Sequence, residues 1–327
     1  MTTSGTVSAT TFNTQRVIDH AFRRCRLRAQ QISAEMQAYA RDDLYLVLSR
    51  LASTRAPSWC IEKQLYPLYA GQPTVTLDAG TVEVLNANYR TVQPLAGTAT
   101  TGATSLTTQF STATAVTTVG LRWSAAPPAL LTFEVSSDGV AWTTVGTHVP
   151  TAASGEWSWA DIAPTSAAVF FRISAGSAIT VSDSLLANTP QEIPMGVLNR
   201  DTFVAQTNKT FQGRPLTYWF ERRTPQPVMN LWPAPNEASE YAQLVVWRHR
   251  HIMDVGPLAG EIEVPQRWMD AIVDALAAKL AAETPEVDAQ LIPVLEARAA
   301  QSLREAWDGD NDGSPTYIQP RIAAYTR

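Results

Sequence analysis

The uneven distribution of charge along the chain is the sequence feature that most constrains its fold. Between Thr91 and Ala187 there are only seven charged residues, whereas the whole chain of 327 residues contains 25 Lys+Arg and 30 Asp+Glu. Threonine and other β-branched residues are abundant in this stretch and strong helix formers are scarce, which favours strands. The flanking segments are richer in charge and show helical periodicity. The sequence therefore predicts that residues 92–187 form an all-β module inserted into a different fold.

Two patterns inside the insert predict a β-sandwich. Leu131, Phe133 and Val135 alternate with polar residues, so one face of that strand should be buried. The same alternation recurs in residues 169–173. An Asp-Gly pair ending at Gly139 predicts a hairpin turn, because glycine tolerates the positive φ that such turns require.

Helical periodicity is present on both sides of the insert. Asn13 or the following threonine can cap a first helix, and a second helix is predicted at about residues 33–54. After the insert, an alanine-rich stripe that begins at Trp268 predicts a third helix. Thr284-Pro285 predicts a stop and a restart into a fourth helix, which Pro293 should either kink or shorten at its start.

Short strands are predicted near residues 67–84, 216–220, 228–232 and 241–252. The predicted fold class is α+β: a four-helix core built from the N- and C-terminal segments with a small β region, plus the inserted all-β sandwich. The predicted boundaries are 1–91 and 188–307 for the core, 92–187 for the sandwich and 308–327 for an extended C-terminal arm.

Composition and charge argue against several classes of protein. The net charge of −5 and the pI near 5.5 disfavour a protein that coats nucleic acid, since such proteins are normally basic. Cys25 and Cys60 suit a reducing compartment better than a disulfide framework. Residues 1–11 lack the basic start and apolar stretch of a secretory signal. No apolar run of about 18 residues is present, so we expect no contact with a membrane.

The sequence contains no motif typical of an enzyme. There is no Gly-x-Ser-x-Gly, no His-Glu-x-x-His and no phosphate-binding loop. We therefore predict no catalytic residues, no cofactor and no enzymatic activity. Cys25 lies between Arg24 and Arg26, which could lower the pKa of its thiol. Its spacing from Ala21 and Phe22 instead indicates a small core residue.

Two groups match metal sites only in part. Residues 308–313 (DGDNDG) match the first half of an EF-hand loop, but Gln319 occupies the twelfth position and Pro315 disfavours a following helix. We interpret this segment as an acidic, solvent-exposed end of the fourth helix. His249 and His251 are predicted to share one face of a strand, with no third ligand at a recognisable distance. We therefore predict no metal site.

Short motifs occur in a fixed order on the two flanks of the insert. They are residues 65–72 (LYPLYAGQ), 208–215 (NKTFQGRP), 218–220 (YWF), 231–235 (LWPAP) and 264–268 (VPQRW). With the order helix, helix, short strands, helix, helix and aromatic tail, they resemble the head-to-tail adaptor family of short-tailed phages. This family is also called the tail accessory or packaged-DNA stabilisation proteins. The resemblance covers roughly residues 12–90 and 190–327.

This resemblance implies a structural ring of about twelve copies, attached to the portal protein of a virion that assembles in the bacterial host cytoplasm. Such a ring extends the DNA channel, helps to retain packaged DNA until ejection and carries later tail proteins such as a nozzle, fibre or spike. It also implies that the C-terminal arm binds the portal. The corresponding arm residues are Tyr317, Ile318, Pro320, Arg321, Ile322, Tyr325 and Arg327.

The most basic stretch of the chain is the first helix and its exit. Its arginines are Arg16, Arg23, Arg24, Arg26 and Arg28. Two interpretations stay open. Either these side chains are solvated on an ordinary helix face, or they face portal carboxylates or the phosphates of double-stranded DNA. Phosphate contacts of this kind would not depend on base sequence.

The insert shows a resemblance of its own. Residues 135–142 (VSSDGVAW) and 170–173 (FFRI) are similar to the discoidin, or galactose-binding-like, sandwich. In that fold they supply a turn, a core tryptophan (here Trp142) and a late strand, and none of them identifies a sugar site. Two alternative functions therefore stay open. One is a glycan-binding tail or decoration protein that acts through the insert, and the other is a cell-wall hydrolase, for which no acidic pair stands out.

Overall fold

The computed structural model describes residues 12–54, 57–163, 165–239 and 241–310. The fold is α+β, as predicted. Contacts divide the chain into two compact units. The first comprises Met1–Ile61 and Arg250–Arg327 and is called the helical unit here; the second comprises Glu62–His249 and is called the β unit.

The described residues contain five α-helices and 16 strands. The helices are α1 Thr14–Arg24, α2 Ala34–Thr54, α3 Arg200–Val204, α4 Gln266–Glu283 and α5 Ile292–Gly309. The strands are β1 Ile61–Pro67, β2 Thr74–Thr76, β3 Thr81–Thr91, β4 Thr98–Thr101, β5 Ser105–Thr114, β6 Thr118–Trp123, β7 Leu131–Ser136, β8 Thr143–His148, β9 Trp157–Asp161, β10 Ala168–Ala175, β11 Val181–Ala187, β12 Gln191–Pro194, β13 Gly196–Val197, β14 Thr217–Glu221, β15 Val228–Trp232 and β16 Gln243–Arg250.

Helices α1, α2, α4 and α5 share one hydrophobic cluster in the helical unit. Phe22 of α1, Leu44 of α2 and Trp268 of α4 lie at its centre, and each is almost fully buried. Cys25 also belongs to this cluster, and burial raises the pKa of its thiol to about 11. It is therefore a core residue, as its spacing indicates. Within the described residues, no helix combines the length and apolarity needed to cross a membrane.

The ends of the helices agree with the sequence except at one point. Asn13 caps α1 by accepting a hydrogen bond from the backbone N–H of Arg16 at 2.9 Å. Helix α4 ends before Thr284, but no helix restarts at Pro285, so that prediction was wrong. Helix α5 begins only at Ile292, and Pro293 lies in its first turn, where a missing N–H breaks no helical hydrogen bond.

Arg26 follows the end of α1 with a φ of 61°, in the left-handed region. The backbone N–H of Leu27 donates to the carbonyl of Phe22, which closes the helix as a Schellman motif. Glycine fits this position without the steric cost that a Cβ brings. We expect Arg26→Gly to stabilise the protein by about 0.5–1 kcal/mol, measured by urea denaturation. Arg26→Ala removes the same charge but keeps the Cβ, and should give no gain; equal gains in both variants would contradict the backbone explanation.

Two sheets of the β unit pack into a β-sandwich. Their strand orders are β4-β5-β10-β7-β8 and β11-β6-β9. Both sheets contribute side chains to one core, in which Trp123 and Phe133 are fully buried. The turn after β7 has Gly139 at a φ of 75°, as the hairpin prediction required. All eight strands lie between Thr98 and Ala187, inside the predicted limits of the insert.

Two further sheets of the β unit have the orders β1-β16-β3-β12 and β13-β14-β15-β2 and share a second core. Strand β3 leads into the sandwich and β12 leads out of it. These two strands pair with each other, with Thr91 opposite Gln191. The contacts group both sheets with the sandwich, whereas the sequence grouped them with the helices. The reason is that β1 and β3 bind the sandwich directly, through contacts described below.

Candidate functional site

A cleft of about 800 Å³ lies inside the β unit, between the sandwich and the sheets that carry it. One wall consists of residues 63–69, 72 and 74–78, from β1 to β2. The other wall consists of residues 148–161, from the end of β8 to the end of β9, apart from 150 and 153–155. Gln226 completes the lining. Each wall is a continuous chain segment, so the cleft exists only because the insert docks against its host strands.

Aromatic side chains form the base of the cleft. The indole rings of Trp157 and Trp159 stack with centroids 5.1 Å apart, and the backbone N–H of Trp157 donates to the hydroxyl of Tyr69 at 2.8 Å. Gly120 of β6 lies opposite Trp159, and a Cβ there would overlap the indole ring. Leu65 and Tyr69 pack against the two tryptophans. This base joins the two walls and fixes their separation.

An ion cluster lies at one end of the cleft. The buried guanidinium of Arg90 donates to both carboxylate oxygens of Asp161, at 2.6 and 3.0 Å. It also donates to Glu192 at 2.7 Å. The ammonium of Lys63 lies 2.6 Å from Asp161 and 3.7 Å from Glu192. Four strands therefore meet here: β1, β3 and β12 of the carrying sheet and β9 of the sandwich.

The carboxyl groups of this cluster have altered acidity. Burial alone would raise the pKa of Asp161, but hydrogen bonds from Arg90 and Lys63 outweigh it and lower the pKa. Burial opposes the shift at Glu192 as well, and hydrogen bonds from Asn88 and Arg90 lower the pKa of that group. Both carboxylates are therefore held in the charged form that Arg90 requires.

Polar side chains line the walls above the base. His148 Nε2 lies 3.1 Å from the hydroxyl of Ser158, and burial lowers the pKa of His148, which favours its neutral form. Gln72, Thr151 and Glu156 are exposed on the two walls. Amide, hydroxyl and carboxylate groups therefore dominate the lining. They can exchange hydrogen bonds with a polar ligand but present little positive charge to an anion.

The described residues contain no group of three or more His, Cys, Asp or Glu placed to hold a metal ion. His249 is buried in β16, whereas His251 is exposed and follows the end of that strand. The prediction that both histidines share one strand face was therefore wrong, because β16 ends at Arg250. Arg248, the preceding residue, is also buried; it donates to Thr81 at 2.6 Å and pairs with Glu62.

The structure separates the five predicted basic residues into two groups. Arg24 turns toward α4 and pairs with Asp270 and Asp274. Arg16, Arg23, Arg26 and Arg28 are exposed, and the guanidinium of Arg16 lies 4.4 Å from the ring centroid of Phe12. Four of the five arginines therefore remain accessible to an anionic partner.

The predicted arm residues Tyr317, Ile318, Pro320, Arg321, Ile322, Tyr325 and Arg327 lie outside the described residues. Of the acidic segment 308–313, only the first three residues are described. The carboxylate of Asp310 accepts hydrogen bonds from the backbone N–H and hydroxyl of Ser58 and pairs with Arg267. In the described part of the segment, this carboxylate thus ties the end of α5 to the rest of the helical unit.

Trp142 is not the core tryptophan that the discoidin resemblance predicted. It is half-buried on the surface, where the guanidinium of Arg172 lies 4.0 Å from its ring centroid. Arg172 in turn donates to Glu134 at 2.8 Å. The central tryptophan of the sandwich is Trp123, which is fully buried. The sequence signal for it was the apolar run of β6.

A second notable surface lies on α2. One side of α2 is buried in the helical core. Apolar residues three or four positions apart form this side, as expected for an amphipathic helix: Ala40, Leu44, Leu48 and Leu51. The outward side nevertheless carries three large apolar residues: Tyr39 (58% exposed), Tyr45 (47%) and Leu46 (51%). We call these three residues the α2 outer face. Among the described residues of the helical unit, none covers these three side chains.

No family model and no curated protein matches the sequence. Solved structures do resemble it. One is the C-terminal domain of a chitobiase from Bacteroides fragilis, with 11% identity over 28% of this chain and 64% of that chain, TM-score 0.23. Another is a CBM32 module from Clostridium perfringens in complex with GalNAc-β-1,3-galactose. It is 11% identical, the match covers 41% of this chain and 99% of that chain, and the TM-score is 0.23. A third is chitosan-binding module 2 of a Paenibacillus sp. IK-5 chitosanase/glucanase in complex with chitotriose. It is 22% identical, the match covers 36% of this chain and 92% of that chain, and the TM-score is 0.20.

These neighbours are discoidin-like β-sandwich carbohydrate-binding modules and match the inserted sandwich. The chain spans less than two thirds of the chitobiase domain. At these TM-scores the similarity carries no argument about a ligand of this chain.

Proposed function

We propose that the protein is a non-enzymatic head-to-tail adaptor of a short-tailed phage, in which the helical unit forms a ring with identical copies beneath the portal. The observation that supports this proposal is the α2 outer face. Large apolar side chains on a helix that is already buried on its other side favour association with a partner. The order of motifs on both flanks of the insert resembles the adaptor family, whose members form rings of this kind. In this proposal the exposed arginines of α1 and the C-terminal arm contact the portal or the DNA.

The α2 outer face provides a direct test of the ring. Tyr39 and Leu46 are seven residues apart, so they share one side of the helix. We expect Tyr39→Asp combined with Leu46→Asp to prevent assembly, because carboxylates would have to be desolvated between copies. Native mass spectrometry and negative-stain electron microscopy of the full chain, with and without the portal protein, would measure this. The wild type should form rings of about twelve copies when the portal protein is present, whether or not it also forms them alone.

The matched control places two carboxylates elsewhere on the same unit. Ala297→Asp with Ala300→Asp alters two exposed positions of α5 and should leave ring formation intact. Circular dichroism would verify that both double variants keep their helices. A wild-type chain that stays monomeric with the portal present would refute the adaptor proposal. Rings formed equally well by the α2 double variant would refute the α2 outer face as the lateral contact.

A second candidate function is carbohydrate binding by the β unit. The observation that favours it is the cleft, whose walls present amides, hydroxyls and carboxylates over an aromatic base. This function is compatible with the first, since an adaptor ring could display a carbohydrate-binding module at the virion surface. GalNAc-β-1,3-galactose and chitotriose, which are bound in two of the neighbours, are reasonable first probes.

A further inference from the structure

We infer that the cleft between the sandwich and its carrying sheets is a binding site for a neutral oligosaccharide, and that both walls contribute to it. This inference rests on the second candidate function and deepens it by naming the site. The insert alone would supply only half of the binding groups, so the module should not act as an independent lectin.

The size and shape of the cleft suit a small ligand. Its volume of about 800 Å³ falls within the range of roughly 300–1,000 Å³ that is usual for ligand pockets. The base is preformed, because the stacked indoles, the bond from Trp157 to Tyr69 and the ion cluster hold the two walls together. A site that is ordered before binding loses less entropy when a ligand enters.

The lining chemistry selects the ligand class. Gln72, Thr74 and Asp78 on the first wall face a ligand together with Thr151 and Glu156 on the second. The amide of Gln72 and the hydroxyls of the two threonines can donate to and accept from the hydroxyl groups of a ligand, whereas the carboxylates of Asp78 and Glu156 can only accept. The half-buried side chains of Leu65 and Tyr69 offer apolar contact for the C–H faces of a sugar ring, whereas Trp157 and Trp159 are buried and hold the two walls together. Both features are what a neutral polyhydroxylated ligand requires.

The charges of the lining disfavour an anionic ligand. Lys63 is the one cationic side chain among the described lining residues, and Asp161 and Glu192 already pair with it. The exposed carboxylate of Glu156 would repel phosphates, and the carboxylate of Asp78 is already paired with Arg248, so nucleic acid is not expected here. A basic peptide would be attracted instead, which makes it the alternative occupant that a binding experiment has to distinguish.

The experiment uses the full chain on a glycan array, followed by calorimetric titration with the strongest neutral oligosaccharide and with a tetralysine peptide. The variant Gln72→Ala/Thr151→Ala removes one hydrogen-bonding group from each wall, and neither side chain takes part in the base. We expect affinity for the oligosaccharide to fall about tenfold or more, since each lost hydrogen bond contributes on the order of 1 kcal/mol. The matched control Gln109→Ala/Ser111→Ala changes exposed residues of β5 outside the cleft and should bind like the wild type.

The outcomes separate the site from the function. If no oligosaccharide binds the wild type, carbohydrate binding itself fails. If one binds and the cleft variant binds it as tightly as the control does, the function stands and the cleft is not its site. If only tetralysine binds, in a manner sensitive to the cleft variant, the ligand class is wrong. Selective loss of oligosaccharide binding in the cleft variant supports the inference.

Discussion

Replacing Arg90 by methionine is expected to destabilise the β unit by about 3 kcal/mol at neutral pH. The guanidinium is buried and binds Asp161 and Glu192 at once. Without it, Lys63 alone would compensate two carboxylates that are only partly exposed, and removing one member of a buried ion pair costs about 3–5 kcal/mol. Urea denaturation would measure the loss. Hydrogen exchange in β3 and β9 should rise, because Arg90 joins these two strands.

The pH dependence of this loss follows from the two carboxyl groups. Both have lowered pKa values in the fold. Their contribution to stability is therefore present above the pKa of an unfolded carboxyl, about 4, and is lost as the pH falls through the lower folded values. In Arg90→Met the carboxyls lose the group that favours their charged form. The difference in stability between wild type and variant should consequently shrink as the pH falls from 7 toward 3.

Arg214→Met is the matched control for this change. Arg214 is exposed in the same unit, so its replacement should leave stability within about 0.5 kcal/mol of wild type. Should Arg90→Met prove as stable as Arg214→Met at pH 7, the ion cluster would not be what fixes the sandwich to its carrying sheet.

The double variant Arg24→Met/Arg298→Met is expected to lose about 3 kcal/mol in the helical unit. Both guanidinium groups pair with Asp274, which is only 1% exposed. Arg24 comes from α1, Asp274 from α4 and Arg298 from α5, so this cluster connects three helices. Asp274 would be left as a buried carboxylate without a counter-charge, which is the costly case. Chemical denaturation monitored by helical circular dichroism would measure the effect.

Two controls make the result specific. Arg23→Met removes an exposed arginine from the same helix and should have little effect. Adding Asp274→Leu to the double variant should restore most of the lost stability, since an apolar triplet of similar volume needs no charge compensation. A triple variant no more stable than the double variant would show that the loss came from packing of the arginine stems.

Much of the architecture was predictable from residue patterns. The N-cap at Asn13, the extent of α2 and the limits of the sandwich follow from capping chemistry, helical spacing and the absence of charge. Strands β14 and β15 were predicted because they are short apolar runs between prolines, and they form an antiparallel hairpin. These signals are local, so a single sequence is enough to find them.

The remaining features depend on contacts between distant segments. The sequence left the start of α5 open, because both Thr284-Pro285 and Pro293 are good helix-start signals; the structure confirms the later start, at Ile292, and tertiary packing decides between the two. The short helix α3 was missed, although Asn199 is a favourable N-cap, because five residues give almost no periodicity. The cleft could not be foreseen at all. Its walls are about 80 positions apart in sequence, and nothing in either wall indicates the other.

The pairing of β3 with β12 at the base of the sandwich has a consequence for the evolution of such chains. Thr91 and Gln191 are neighbours across two antiparallel strands, so the whole sandwich occupies the place of a hairpin loop. A gene segment coding for any domain with adjacent termini could be exchanged at this point without altering the register of the host sheet. The insert and the host sheet could thus change independently of each other, while the pairing of β3 with β12 stays the same.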